Sequence, residues 1–261
     1  MTTAAQTAWP ALIEDPEAPG KVIVVCEHAS NAFAAPFGTL GLSSAQRQAH
    51  IAWDPGALGL ARGLAAALRA PLVSAPLSRL IYDCNRPPDA VGAMAARSEV
   101  HDIPGNRTLS AGDRLLRVNA VYRPFHDALR GLILQRLTNG PAPVLVTVHS
   151  FTPIYHGKPR SVEFGVIHDA DPALALALLQ AGRSLPLVTR LNEPYCAADD
   201  VTHTLRLHAT PYGLPNVMLE IRNDLIATAS AEQVMAALLA PVLQQATDAV
   251  ISNPSLHQKT G

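Results

Sequence analysis

The chain has 261 residues, 48% of them apolar and 16% charged, with a formal net charge of −1, so it can build a large core and is not compositionally disordered. No Lys/Arg cluster accompanies that balance, which excludes a nucleic-acid footprint or an anionic membrane surface and leaves a small molecule as the expected partner. The start lacks the basic and apolar regions of a secretory leader, no apolar stretch reaches membrane-spanning length uninterrupted, and three cysteines without CxxC spacing cannot all pair, so a reducing cytoplasm is expected.

No linker divides the chain, and a single domain is expected over residues 21–252, between an arm over 1–20 carrying Pro10, Pro16 and Pro19 and a tail over 253–261. The β-branched run 22–25 reads as a buried strand that ends in Cys26-Glu27-His28. Ser43 and Ser44 suit the cap of a short helix. Asp54 as N-cap and Pro55 as first residue start a longer one over about 56–69, with Leu58, Ala61, Ala65 and Leu68 as its apolar stripe. Strands are expected at 71–75 and at 80–82, the latter running into Asp83-Cys84-Asn85-Arg86. The stretch 86–110 has Pro and Gly but little periodicity and reads as a long functional loop, suited to a lid.

Residues 112–137 read as helix, kinked or interrupted at Pro124. A core strand follows at 143–149, ending in His149-Ser150, then an exposed connection containing Gly157 and Arg160. A strand at 161–168, a helix at 172–181, a strand at 217–219 ending in Glu220 and a closing helix at 233–251 complete the chain. This alternation predicts an α/β fold: a mostly parallel or mixed central sheet with helices on both faces.

Four apolar runs thus each end in a residue capable of chemistry, and ligands of open α/β sheets gather at the carboxyl ends of strands. A hydrolytic metal site needs about three His or carboxylate ligands and an open position. His28 and His149 lie at different strand ends; each alone could simply hydrogen-bond there, but together they favour a ligand pair. Asp54 is a plausible third ligand, and its N-cap reading is equally compatible with the spacing. Glu220, costly to bury unpaired, reads as a general base, with pairing to Arg222 as the plainer alternative. Asn85 and Arg86 offer an amide and a guanidinium suited to a substrate carboxylate, or else a turn in which Asp83 absorbs the charge of Arg86. Cys26 beside His28 reads as a buried structural thiol rather than a nucleophile, and no glycine-rich phosphate loop is present.

The segments Glu27-His28-Ala29-Ser30-Asn31, Trp53-Asp54-Pro55-Gly56-Ala57, Ser78-Arg79 through Asp83-Cys84-Asn85-Arg86-Pro87, His149-Ser150-Phe151-Thr152-Pro153, Asn192-Glu193-Pro194-Tyr195 and Gly213 through Glu220-Ile221-Arg222 to Leu225 together resemble the N-formylglutamate amidohydrolase family, in order, from about residue 20 to 250. The resemblance implies a fold related to zinc carboxypeptidases and aminoacyl deacylases, and hydrolysis of N-formyl-L-glutamate to formate and glutamate within histidine catabolism. It implies one divalent ion, zinc being expected, on His28 and His149, with Glu220 as base. Asn85 and Arg86, with Arg222 and Ser150, would bind the substrate. The carboxypeptidase pattern has a ligating Glu where this sequence has Asn31, so the third ligand is expected from Asp54, with Glu27 or Asn31 as fallback. Tyr122-Arg123-Pro124-Phe125-His126 also resembles a family segment, without a role for His126.

Overall fold

A computed structural model describes residues 8–253; the first seven residues of the expected arm and most of the expected tail lie outside that range. In chain order the strands are β1 (Leu12–Glu14), β2 (Val22–Cys26), β3 (Leu72–Ser74), β4 (Arg97–Ser98), β5 (His101–Asp102), β6 (Val144–Phe151), β7 (Ile154–Tyr155), β8 (Lys158–Pro159), β9 (Phe164–Ile167), β10 (Thr189–Leu191) and β11 (Asn216–Arg222). The helices are α1 (Ser44–Gln48), α2 (Ala57–Leu68), α3 (Ala111–Arg117), α4 (Arg123–Asn139), α5 (Ala173–Ala181), α6 (His203–His208) and α7 (Ala229–Ser252).

Seven strands form one mixed sheet in the order β1-β3-β2-β6-β11-β9-β10; β4-β5 and β7-β8 are separate small hairpins. The central strands β3, β2, β6 and β11 run parallel, while β1 and β9 pair antiparallel to their neighbours β3 and β11. Part of the expected arm is therefore an edge strand. Side chains alternate across the sheet with a period of two. Val22, Val24, Val146, Val148, Val217 and Leu219 pack against α2, α5 and α7. Ile23, Val25, Leu145 and Met218 pack on the other face, against α4, α6 and the buried turn around Leu80, Ile81 and Tyr82. This is the expected α/β architecture with helices on both faces.

Several expected elements differ in kind. The run 80–82 is a turn rather than a strand, closed by Ile81 N–H donating to the Ser78 carbonyl at 2.9 Å. Its apolarity records burial, since all three side chains are at most 3% exposed, and burial alone does not specify an extended backbone. The expected helix over 112–137, kinked or interrupted at Pro124, runs through α3 and α4, which are contiguous and joined by a π turn over 118–122 that ends just before Pro124. Within 86–110, short turns and the β4-β5 hairpin are tied down by the Asn106 amide, which donates to the carbonyls of Leu80 and Ala95 at 2.9 Å. Ser43 caps α1 with a full capping box, as its position predicts. By contrast, the N-cap of α2 is Gly56 and not Asp54. Gly56 has φ 79°, and a Cβ there would lie 2.2 Å from the Ile226 carbonyl oxygen, so the turn requires glycine and frees the Asp54 side chain for another use.

Candidate active site

The period-two alternation that fills the core also builds the site. His149 follows Leu145 and Thr147 on one face of β6, and Glu220 follows Met218 on the same face of β11; the two are register partners in the parallel pair. Glu27 and His28 lie just past the end of β2, Asp54 just before α2, and Arg79, Asp83, Asn85 and Arg86 on the buried turn that crosses this end of the sheet. His28, Asp54, Asp83, Asn85, Arg86, His149, Ser150, Tyr195 and Glu220 share a cavity of about 180 Å³ with His50, Arg79 and Tyr155.

At its floor, three atoms face one another in a near-equilateral triangle. His28 Nδ1 lies 3.2 Å from Asp54 Oδ2, His149 Nδ1 lies 3.0 Å from the same oxygen, and the two Nδ1 atoms are 3.1 Å apart. The far side of each imidazole faces a carboxylate: His28 Nε2 donates to Asp83 Oδ1 at 2.7 Å, and His149 Nε2 is 3.1 Å from Glu27 Oε2, off the line of a hydrogen bond. A proton on each Nε2 leaves a lone pair on each Nδ1. Three electron-rich atoms in van der Waals contact repel one another unless a positive charge joins them.

The electrostatics point the same way. Glu27, Asp54, Asp83 and Glu220 are all at most 4% exposed. Arg79 bridges two of them, reaching Asp54 Oδ1 at 3.3 Å and Asp83 Oδ2 at 2.9 Å. Burial opposes ionisation of Asp54, but the facing imidazoles of His28 and His149 outweigh it and hold the carboxyl well below its usual range. Burial likewise disfavours a charge on His149, yet Glu27 and Asp54 overcome this and raise its pKa well above normal. The triangle therefore attracts a cation. A four-coordinate ion with bonds of about 2.0–2.1 Å sets neighbouring ligand atoms about 3.3 Å apart, so His28, Asp54 and His149 could hold a metal ion, with Asp83 and Glu27 as the partners that orient the two imidazoles.

Glu220 differs from the other carboxyls. Burial, reinforced by Asp54, pushes it up to about 7 despite the opposing histidines, and its Oε2 has no hydrogen-bond partner. A carboxyl near neutrality beside the triangle is suited to taking up and giving back a proton.

The remaining expected residues have varied placements. Arg86 lines the cavity and donates to the Asp199 carbonyl at 2.9 Å. Its charge is not absorbed by Asp83, which pairs with Arg79 instead. The Asn85 side chain reaches the cavity wall, but its amide donates to the Val201 carbonyl and its oxygen accepts from Thr204 N–H at 3.0 Å, so it braces α6. Ser150 lines the cavity, with its hydroxyl donating to the Pro55 carbonyl at 2.8 Å and its N–H to Asp54 Oδ2 at 3.3 Å. Arg222 lies outside the cavity lining, bonded to Asp224 at 2.8 Å and Glu163 at 3.3 Å. Of the fallback ligands, Glu27 backs His149 and Asn31 does not line the cavity. Cys26 is fully buried on the opposite face, in the core beneath α2, and burial raises its thiol pKa, which removes the basis for a nucleophile.

Reasoning from the chain alone assigned no role to Arg79, His50, Tyr195 or Arg160. His50 lies 3.6 Å from Asp54 Oδ1 and is kept neutral, its pKa pushed down to about 4 by burial. Arg160 donates to the Tyr195 hydroxyl at 3.0 Å and stacks over the rings of Tyr155 and Tyr195 at 4.3 and 5.1 Å. Arg79 and Tyr195 fall inside the segments quoted above, which was the available signal; His50 and Arg160 had none.

A family model for N-formylglutamate amidohydrolase matches residues 20–227. Among solved structures, the chain is similar to gene product Atu2144 from Agrobacterium tumefaciens, with 47% identity, 95% of this chain and 98% of that chain covered, and a TM-score of 0.91. It is also similar to N-formylglutamate amidohydrolase from Ralstonia eutropha JMP134, with 18% identity, 92% of this chain and 99% of that chain covered, and a TM-score of 0.69, a likeness of fold. No curated protein matches the chain.

Proposed function

Since the chain belongs to the N-formylglutamate amidohydrolase family, we propose that it is a metal-dependent hydrolase of a small N-acyl amino acid, with N-formyl-L-glutamate as the leading substrate and formate and L-glutamate as products. The observation that supports the metal dependence is the triangle of His28 Nδ1, Asp54 Oδ2 and His149 Nδ1, whose edges of 3.0–3.2 Å bring three potential ligand atoms together in a buried site. A divalent ion held there, zinc in this reading, would supply Lewis acidity, polarising the acyl carbonyl and lowering the pKa of water toward about 7.

The chain's own groups do the rest. Glu220, pushed up to about 7, is partly ionised at neutral pH and takes a proton from the attacking water. It then delivers that proton to the departing amide nitrogen, so the carboxyl ends as it began. Arg86, on the cavity wall, is the cation available to a substrate carboxylate, whereas Arg79 is held by Asp54 and Asp83. Tyr195 accepts from Arg160, which directs its own O–H away from that guanidinium and makes it a donor for the substrate. The partner is a small carboxylate-bearing molecule in the cytoplasm, and no nucleic acid or membrane is involved.

The test is metal content of the purified protein beside formate release from N-formyl-L-glutamate, before and after chelation and zinc restoration. Near one ion per chain with chelator-sensitive release is expected. Bound metal without formate release would retain the hydrolase and discard this substrate. Absence of metal with full activity would end the mechanism.

A further inference from the structure

The turn that carries Asp83 belongs to no helix or sheet, so something else must hold it still. Its backbone is pinned from outside the cavity by two stacked imidazoles. His126, on α4, has Nε2 2.9 Å from the Cys84 carbonyl oxygen, and its Nδ1 lies 2.8 Å from Nε2 of His208, on α6. His126 and His208 are 2% and 0% exposed, with rings 5.0 Å apart and 20° from parallel. The carbonyl can only accept, so His126 must carry its proton on Nε2; its Nδ1 must then accept from His208 Nε2–H. Neutral tautomers are thereby specified at both residues, and His208 Nδ1 is left as a bare, unpartnered nitrogen.

On either side of Cys84 the turn does work in the cavity. Asp83 Oδ1 accepts from His28 Nε2 at 2.7 Å and from Asn85 N–H at 2.9 Å, and Asn85 Oδ1 accepts from Thr204 N–H of α6. We propose that His126, held by His208, is a positioning residue: by donating to the Cys84 carbonyl it fixes the turn so that Asp83 receives the Nε2 proton of His28 and leaves His28 Nδ1 free to bind the ion. The inference rests on the metal-site reading above, and gives His126 a part in ligand orientation without contact with substrate or metal.

The test compares His126→Phe, which removes the donor, with His126→Gln, which keeps an amide N–H near the position of Nε2. Zinc affinity is read by competition with a chelating dye, and the tautomer of His28 in metal-free protein by ¹⁵N chemical shifts. His126→Phe is expected to weaken zinc about 10–100-fold and to mix the His28 tautomers, while His126→Gln stays within about threefold of wild type. Equal impairment of both variants would reduce His126 to packing and overturn the proposal, as would wild-type affinity in His126→Phe. Should His126→Phe fail to fold, the metal-free wild-type protein decides: a His126 proton on Nδ1 overturns it, and one on Nε2 with His28 also protonated on Nε2 supports it. A wild type that binds no zinc would instead sink the metal reading, an outcome distinguishable because the tautomers are measured without metal. Zinc binding without formate release would sink only the substrate.

Discussion

At the scale of single residues, environment rather than residue type separates three buried carboxyls, Asp54, Asp83 and Glu220. Asp54 and Asp83 are held ionised by histidine and Arg79, whereas Glu220 is raised toward neutrality by burial that its neighbours only partly offset. Two substitutions exploit this. Glu220→Gln keeps shape and removes the carboxyl proposed as base, so kcat should fall by on the order of 10²–10⁴ with metal content unchanged; near-normal turnover would dismiss Glu220 from the role. Asp83→Asn should act in the opposite manner, since it removes the acceptor opposite His28 while leaving Glu220 intact. Metal affinity should drop by about 10–100-fold, with activity recovered by excess zinc. Titration with metal separates the two: only the Asp83 variant is rescued.

At the scale of elements, the site depends on segments that cross the sheet end without belonging to it. The loop bearing Tyr195 runs close over β9, where a Cβ on Gly165 would lie 2.2 Å from the Glu193 carbonyl oxygen and 3.2 Å from the Glu220 Cβ. A backbone oxygen cannot step aside alone, so Gly165→Ala must lift the loop or push β11. Overpacking of this kind costs about 1–3 kcal/mol. The expected outcome is a lower Tm together with a raised KM, because Tyr195 and Glu220 both line the cavity. An unchanged KM would show that the loop's position does not matter to substrate. The closing helix α7 illustrates a different point: its 24 residues are apolar enough to span a membrane, yet Met235, Leu239, Leu243 and Val250 are buried against the sheet and its helices, as a core helix requires.

At the scale of the whole molecule, the buried histidines make stability pH-dependent with two signs. Burial, with Arg130 and His203 adding to it, pushes His208 down to about 3; burial and the neighbouring His208 and His203 keep His126 well below its usual value. The unfolded chain takes up protons near pH 6.5 that the folded chain refuses, so these residues withdraw stability as pH falls below about 6.5. His149 has the opposite sign in metal-free protein, because its raised pKa contributes stability that is present below about 6.5 and lost as pH rises through its folded value. For His208 alone the loss between pH 7 and 5 is on the order of 2 kcal/mol. Urea unfolding at the two pH values should show a smaller drop for His208→Gln than for wild type; equal drops would show that His208 is protonated in the folded state.

The sequence by itself determined the class of architecture and the location of the chemistry. Period-two runs such as 144–148 and 217–219 and the helical stripe of α2 depend on local spacing, and they place His149 and Glu220 on strand ends whatever packs around them. What only the tertiary structure decided is where each side chain spends its polar atoms. Asp54 could cap a helix or face two histidines, and the choice rests on a left-handed Gly56 pressed against Ile226, 170 positions away in no local pattern but adjacent in space. Asn85, Arg86 and Arg222 looked alike as substrate clamps; partners from Val201, Thr204, Asp199, Glu163 and Asp224 sort them, and long-range pairing leaves no periodic trace. The turn at 80–82 mimics a strand because burial selects apolar residues regardless of backbone shape. His126 had no readable role for the same reason: its meaning lies in a carbonyl and an imidazole that the chain reaches only after folding.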